Sequence, residues 1–167
     1  MRIPVFVSCP TTLNANQEAA RKVILRELER ASLEPRALGR SDYPTELPLR
    51  EVLLLAKHCS GGIILGFEQV QVQAGISKRG TGAEKVVDSP VPFPTPWNQL
   101  EAGILFGLRV PLLVFAEDGI SGGVFDRGVT DVFIHRMPGP TMPAQARKSL
   151  SAVFQKWQAN VRGHYYQ

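Results

Sequence analysis

Short apolar runs alternate with amphipathic stretches along this chain, and that alternation limits the folds open to it. Residues 62–66 read Gly-Ile-Ile-Leu-Gly, and residues 111–116 form a second run of the same kind. Continuous apolar runs of this length are typical of strands that are buried on both faces of a sheet. Residues 3–8 and 131–135 are two further strand candidates, and residues 35–38 are a shorter one. The pattern therefore predicts five strands.

Helical periodicity connects these strands. Apolar side chains recur at spacings of three and four in a stretch that ends near residue 32 and in residues 49–59, 97–108 and 143–161. In the second of these helices the expected buried stripe is Leu49, Val52, Leu53 and Ala56. Strands that alternate with helices form parallel sheets with right-handed crossovers. We expect an α/β fold with three layers, of the flavodoxin-like type, in which helices flank a five-stranded parallel sheet of order 2-1-3-4-5.

Size and composition are consistent with one globular domain over residues 1–167. The chain has 44% hydrophobic and 20% charged residues, which is ordinary for a globular protein, and no apolar run of the roughly 18–20 residues that a membrane span needs. The opening residues read as a strand rather than a signal peptide. Two cysteines, Cys9 and Cys59, do not form a disulfide framework, so we expect a reduced, cytoplasmic setting.

The net charge and the histidines exclude several kinds of partner. A formal charge of +4 suits an anionic ligand such as a dinucleotide, but it is too small and scattered to predict nucleic-acid binding. The three histidines share no metal-ligand spacing with cysteine or carboxylate residues, so no metal site is expected. The glycine-rich residues 119–123 lack the Lys-Ser/Thr pair of a phosphate-binding loop.

One acidic residue interrupts the apolar face of the helix predicted over residues 97–108. The expected apolar face consists of Trp97, Leu100, Ile104, Leu105 and Leu108. Glu101 falls at its centre, where a carboxylate costs several kcal/mol unless it is paired or lines a cavity. The helix follows strand three, so its first turns lie at the carboxyl edge of the sheet, where open α/β sheets bind ligands. We interpret Glu101 as a functional residue; the alternative is a glutamate that turns to solvent or pairs with an arginine.

The same edge of the sheet collects the residues that follow the other strands. The loops after strands one, two and three, and the start of the helix that carries Glu101, should meet there. We expect the following residues to bind the substrate: Ser8, Cys9, Pro10, Thr11, Thr12, Asp42, Tyr43, Phe67, Gln69, Trp97 and Asn98.

A long connection, residues 68–96, does not fit an ideal flavodoxin-like fold. Its middle is rich in glycine and basic residues, and prolines at every second position from Pro90 to Pro96 stiffen its end. Connections this long inside a compact domain are usually functional or disordered. We interpret it as an insertion that forms a lid or an assembly surface over the site; the alternative is a surface insertion with no role.

Trp97 and Glu101, with Thr95 before them, resemble the Ser-x-Trp-x-x-x-Glu pattern of TIR domains that cleave NAD. The Val-Phe-Val-Ser of residues 5–8 resembles the first TIR box, and residues 107–114 resemble the passage into the fourth TIR strand. The Glu-Ala-Gly that begins at Glu101 also resembles the Glu-x-Gly of nucleoside 2-deoxyribosyltransferases, a structurally related group. Residues 39–47 lack the usual TIR loop sequence.

The resemblance implies cleavage of an N-glycosidic bond, with Glu101 as the catalytic carboxylate and NAD as a substrate rather than a cofactor. Nicotinamide leaves NAD as a neutral molecule, so no general acid is needed, whereas a deoxyribosyltransferase benefits from a second acid. The available aspartates, Asp42, Asp88 and Asp118, lie in no recognisable motif. Burial should raise the pKa of Glu101, because desolvation disfavours its charged form.

These considerations favour a TIR-like NAD glycohydrolase or ADP-ribosyl cyclase. The resemblance further implies an effector or signal producer of bacterial anti-phage immunity that is activated by self-association or by a partner protein. One alternative is an enzyme similar to nucleoside 2-deoxyribosyltransferases, or a nucleotide N-glycosidase. The other is a non-enzymatic TIR-like adaptor or nucleotide-binding module.

Overall fold

A five-stranded parallel sheet lies at the centre of the protein in a computed structural model, which describes residues 2–40, 42 and 47–167. The strands in chain order are β1 (Ile3–Ser8), β2 (Leu33–Arg36), β3 (Gly62–Gly66), β4 (Val70–Val72), β5 (Gly75–Ser77), β6 (Lys85–Val87), β7 (Val91–Phe93), β8 (Leu112–Ala116) and β9 (Ile134–Arg136). The central sheet has the order β2-β1-β3-β8-β9, and every neighbouring pair in it is parallel. The predicted flavodoxin-like fold is therefore confirmed, with β8 and β9 as its fourth and fifth strands.

Four α-helices in the described residues cover the two faces of this sheet: α1 (Ala15–Arg30), α2 (Pro48–Lys57), α3 (Pro96–Gly107) and α4 (Ala144–Tyr165). One core lies under α1 and α4, and a second lies under α2 and α3. Alternate residues of β1 supply them, since Val5 and Val7 enter the first core and Phe6 enters the second. All residues of β3 and β8 are buried, as their continuous apolar sequences predict.

The start of α1 is fixed by a capping box. The Asn14 side chain accepts a hydrogen bond from Gln17 N at 2.9 Å, and the Gln17 side chain accepts one from Asn14 N at 3.1 Å. Gln17 Nε2 then donates to Glu68 O and to the Glu117 carboxylate, at 2.9 and 3.0 Å. One side chain thereby ties the helix to the chain just beyond β3 and β8.

Two helices expose residues that the sequence assigned to the core. In α2, Val52 and Ala56 are buried as predicted, but Leu49 and Leu53 are 50% and 36% exposed. In α3, Trp97 and Leu100 are exposed, and the buried residues are Asn98, Ala102 and Leu105. The apolar side chains of α3 project from nearly every side of the helix. Hydrophobicity alone therefore could not identify the face that is buried. The smaller Ala102 and Asn98 allow the helix to approach the sheet closely.

The connection over residues 68–96 folds as a two-part antiparallel β-ribbon. β4 pairs with β7, and further out β5 pairs with β6. The sequence predicted only a stiff, extended end here, and it did not predict the pairing. Pro92 is tolerated in β7 because a two-stranded ribbon consists of edge strands. No helix in the described part of the chain is long and apolar enough to cross a membrane.

Candidate active site

A cavity of about 340 Å³ opens at the carboxyl edge of the central sheet. It lies between the chain that follows β1 and the first turns of α2 and α3. Ligands of open α/β sheets bind at this edge, near the point where the strand order reverses. Its described lining residues are Cys9, Pro10, Thr11, Thr12, Leu38, Gly39, Pro48, Val52, Gln69, Thr95, Trp97 and Glu101.

Glu101 is held in this cavity by the start of α3. The Thr95 side chain caps the helix by accepting from Trp97 N at 3.3 Å, and Pro96 occupies the first helical position. The Glu101 side chain is half-buried and lines the cavity. Desolvation raises the pKa of Glu101 to about 7, while the influence of the Ser8 side chain works in the opposite direction. The predicted rise of this pKa is confirmed.

The loop after β1 forms one wall, as predicted. Cys9, Pro10, Thr11 and Thr12 all line the cavity. Arg40 fixes this loop from behind, because its Nη2 donates to Pro10 O at 2.8 Å and to Thr11 O at 3.1 Å. Burial raises the pKa of the Cys9 thiol to about 11, although Arg40 and Arg21 act to lower it. The thiol is therefore protonated at neutral pH and is a poor nucleophile.

Gln69 and Trp97 complete the rim. Gln69 N donates to Phe93 O at 2.8 Å, which holds the base of the ribbon beside the cavity. Trp97 lines the cavity with 41% of its surface exposed, so it forms a wall of the site rather than part of the core. The amphipathic tip and flat ring of a tryptophan suit contact with a planar ligand.

Ser8 and Asn98 lie behind the cavity rather than in it, contrary to the prediction that they contact substrate. Ser8 is 1% exposed and Asn98 is fully buried. Asn98 Nδ2 donates to Ser8 Oγ at 2.7 Å and to Leu65 O at 3.3 Å. Both side chains therefore belong to the protein interior rather than to the cavity lining.

Two other residues that were predicted to bind the substrate, Phe67 and Asp42, do not line the cavity. Phe67 is fully buried in the core under α1 and α4, because the apolar alternation of β3 continues one residue past the strand. Asp42 is not among the lining residues, and its carboxylate pairs with the Arg36 guanidinium. Tyr43 lies outside the described residues.

The sequence analysis missed Leu38, Gly39, Pro48, Val52 and Thr95 as lining residues. Pro48 and Val52 stand one turn apart at the beginning of α2. The proline at the first helical position is the sequence signal that a helix starts at the carboxyl edge of the sheet. Gly39 has φ of +72°, and a Cβ there would meet Thr11 Cγ2 at 3.0 Å. The glycine thus allows the chain after β2 to pass close to the chain after β1.

Glu101 is the sole carboxylate among the described lining residues. Asp118 instead pairs with Arg136 at a separate depression, and Asp88 is exposed in the ribbon. Among the described residues, no group of three histidine, cysteine or acidic side chains could hold a metal ion. The site therefore offers one carboxylate, the hydroxyls of Thr11, Thr12 and Thr95, and apolar walls.

Comparisons with protein-family models, with curated proteins and with solved structures each found no match.

Proposed function

We propose that this protein is a TIR-like enzyme that cleaves the nicotinamide–ribose bond of NAD, with Glu101 as its catalytic carboxylate. The observation that carries the proposal is one half-buried carboxylate, with its pKa raised to about 7, on the wall of a cavity at the ligand-binding edge of the sheet. Strongly shifted groups in clefts are the usual sign of a reactive side chain.

The chemistry requires little more than that group. The bond between ribose C1′ and the nicotinamide nitrogen breaks, and its electron pair neutralises the departing pyridinium ring. Positive charge then builds on the ribose, where an ionised Glu101 stabilises it or attacks C1′. Water completes the reaction and gives ADP-ribose, nicotinamide and a proton; attack by another nucleophile of the substrate gives a cyclised product instead.

The surroundings of Glu101 suit NAD better than a deoxynucleoside. A neutral base must be protonated as it leaves, and no second acid accompanies Glu101 among the described lining residues. Apolar Leu38, Pro48 and Val52 offer a surface for the flat nicotinamide ring. A cavity of about 340 Å³ is at the small end for ligand pockets, so it would enclose one nucleoside half of the dinucleotide.

Activation by self-association or by a partner protein belongs to the same proposal, as does a cytoplasmic effector or signalling role in bacterial anti-phage immunity. The ribbon offers a surface for assembly. Its cross-strand pairs place Ile76 beside Val86 and Val70 beside Phe93, and all four side chains are exposed large hydrophobic groups. Activity that rises more than linearly with protein concentration would support this part of the proposal.

The test is incubation with NAD, deoxynucleosides and CMP in parallel, followed by chromatography of the products. Nicotinamide release by the wild type and not by Glu101→Gln supports the proposal. Glu29→Gln is a matched control, because this exposed helical glutamate is remote from the cavity. Free base from nucleosides or CMP alone would favour the N-glycosidase or deoxyribosyltransferase alternative. Turnover of no substrate, even at high protein concentration, would favour the adaptor.

A further inference from the structure

The ribbon over residues 68–96 turns its apolar face to solvent. In the pair of β4 and β7, one face consists only of apolar cross-strand neighbours: Val70, Val72, Val91 and Phe93. The other face holds Gln71 and Pro92, and Pro92 faces the body of the protein, because a Cβ on Gly119 would lie 3.0 Å from its ring. Antiparallel strands that pack on a protein normally bury their apolar face and expose the polar one. The reversed pattern indicates that another surface covers this face.

The ribbon offers enough apolar surface for a specific contact. Four of its large apolar residues are exposed: Val70, Ile76, Val86 and Phe93. Together they leave roughly 400 Å² open to solvent, within the range in which apolar patches are often functional. A standard interface buries roughly 800 Å² per partner, so about half of the contact must come from the polar ends of the ribbon.

The chemistry of this face selects its partner. β4 and β7 contain no charged residue, so a surface that covers them must be apolar and uncharged as well. The same face of a second copy of this chain meets that requirement. A twofold axis places identical patches against each other, as in most homodimers.

The tip of the ribbon, residues 78–85, is basic. It carries three exposed cations and one exposed acid: Lys78, Arg79, Lys85 and Glu84. None of the three cations forms an ion pair with another described residue. The acid is used within the tip, where the Glu84 carboxylate accepts from Gly80 N at 2.6 Å. The tip therefore presents positive charge to a partner.

The base of the ribbon, by contrast, is acidic. Glu68, Glu117 and Asp118 line one depression beside the point where the ribbon leaves the central sheet. Arg136 pairs with Asp118 and offsets only one of the three carboxylates. The Glu117 carboxylate accepts from Glu68 N at 2.6 Å and from Gln17 Nε2 at 3.0 Å, and both donors are neutral. The two ends of the ribbon are therefore opposite in charge.

We propose that two copies of this chain pair through their ribbons about a twofold axis, with the apolar faces together and the basic tip of each over the acidic base of the other. The tip lies roughly 30 Å from the base at the rise of extended strands, so antiparallel ribbons bring the unlike ends together. A parallel pairing would place the two basic tips side by side, which like-charge repulsion disfavours. This inference names the partner in the self-association of the proposed function, and it rests on that function for its effect on activity.

The position of the ribbon connects such a dimer to the cavity. β4 begins directly after Gln69, and β7 ends two residues before Thr95, and both of these flanking residues line the cavity. Gln69 N donates to Phe93 O at 2.8 Å, so the rim and the apolar face share a hydrogen bond. Pairing of the ribbons should therefore order the rim of the site.

The test is analytical ultracentrifugation of the full chain over a range of concentrations. The wild type should dimerise as its concentration rises. Reversal of the tip charge, Lys78→Glu with Arg79→Glu, should raise the Kd of the dimer about tenfold or more, because acidic groups then face each other. Reversal of the base charge, Glu68→Lys with Asp118→Lys, should do the same. An equimolar mixture of the two variants should dimerise about as tightly as the wild type, because unlike charges meet again at both ends.

Lys148→Glu with Lys156→Glu is the matched control for the tip variant. It makes the same change in net charge at exposed residues of α4, outside the ribbon and its base, and its dimer should have the Kd of the wild type. The inference is overturned if the wild type stays monomeric at millimolar concentration, if the tip variant dimerises as tightly as the wild type, or if the mixture does not dimerise. Binding of a monomeric chain to vesicles of anionic lipid would also overturn it, and would assign the ribbon to a membrane surface.

Val70→Ser with Phe93→Ser serves should the base variant fail to fold. It removes two of the four side chains of the apolar face, and a dimer as tight as that of the wild type would again overturn the inference. The outcome is separable from that of the proposed function. A chain that dimerises through its ribbon but leaves NAD intact refutes the substrate alone, whereas an NADase that is active as a monomer refutes the inference alone.

Discussion

Trp97 and Glu101 stand one turn apart on α3 and line the same cavity, the first 41% exposed and the second half-buried. The spacing of the two residues is the one that resembles TIR domains, and the fold turns both toward the ligand-binding edge. If the protein cleaves NAD as proposed, the indole would stand beside the carboxylate near the nicotinamide ring that leaves the ribose.

Trp97→Ala should weaken substrate binding without loss of the fold. Stacking on an aromatic side chain is worth about 1–3 kcal/mol, so KM for NAD should rise by about tenfold or more. Phe106→Ala is the matched control, because this aromatic residue of α3 is 49% exposed and is not a lining residue. Equal KM values for the wild type and Trp97→Ala would show that Trp97 does not contribute to substrate binding.

The pH dependence of catalysis should report the ionisation of Glu101. In the proposed mechanism the ionised carboxylate is the active form, so kcat/KM for NAD should rise with pH through about 7 and then reach a plateau. A cationic nicotinamide ring near Glu101 should lower the midpoint in the profile of kcat. A kcat/KM profile that falls through pH 7 would mean that the protonated form is active, as for a general acid.

The same group should make stability depend on pH. The pKa of Glu101 is about 7 in the folded chain against an ordinary 4.5, so the folded state binds the proton more tightly, and stability falls as pH rises between these values. At pH 8, Glu101→Gln should raise the free energy of unfolding by roughly 1–3 kcal/mol, after allowance for partial exposure. Below pH 4.5 the difference should vanish. Denaturant titrations of the wild type and Glu101→Gln at both pH values measure this difference in the free energy of unfolding. If Glu101→Gln is no more stable than the wild type at pH 8, the desolvation of Glu101 is contradicted.

Two glycine substitutions should change stability in opposite directions. A Cβ on Gly66 would lie 2.4 Å from the Phe125 ring, so Gly66→Ala should cost about 1–3 kcal/mol by overpacking. A Cβ on Gly103 meets open space on the exposed side of α3, so Gly103→Ala should stabilise by about 0.5–1 kcal/mol. Thermal denaturation of both variants tests these two predictions. A destabilised Gly103→Ala variant would indicate that the added methyl group meets a neighbour where the structure shows open space.

Strand order and the position of Glu101 could be predicted because they depend on patterns that extend over many residues. Continuous apolar runs identified β3 and β8, and the position of α3 after β3 placed Glu101 at the correct edge. The buried face of α3 could not be predicted from the sequence, because apolar residues lie on nearly every side of this helix. The ribbon was missed because its strands are only three residues long and depend on pairing across the chain.

The lining of the cavity was predicted well where it follows strand ends, and poorly where the direction of a single side chain decides whether it faces the cavity. The run Cys9 to Thr12 lines the cavity as a loop, whereas Phe67 continues the strand alternation into the core. Ser8 and Asn98 are buried behind the cavity wall. At the end of a strand and at the start of a helix, one residue can face the cavity while the next faces the interior. The position of a residue in the sequence predicts which edge of the sheet it lies at. The direction in which its side chain points is known only from the folded backbone.

The most direct measurement compares nicotinamide release from NAD by the wild type and by Glu101→Gln at pH 8, with both proteins shown to be folded. The amide keeps the size of the side chain and removes its charge. If an anionic Glu101 stabilises the electron-poor ribose, the rate should fall by about 10²- to 10³-fold or more. A Glu101→Gln variant that releases nicotinamide as fast as the wild type would contradict the account.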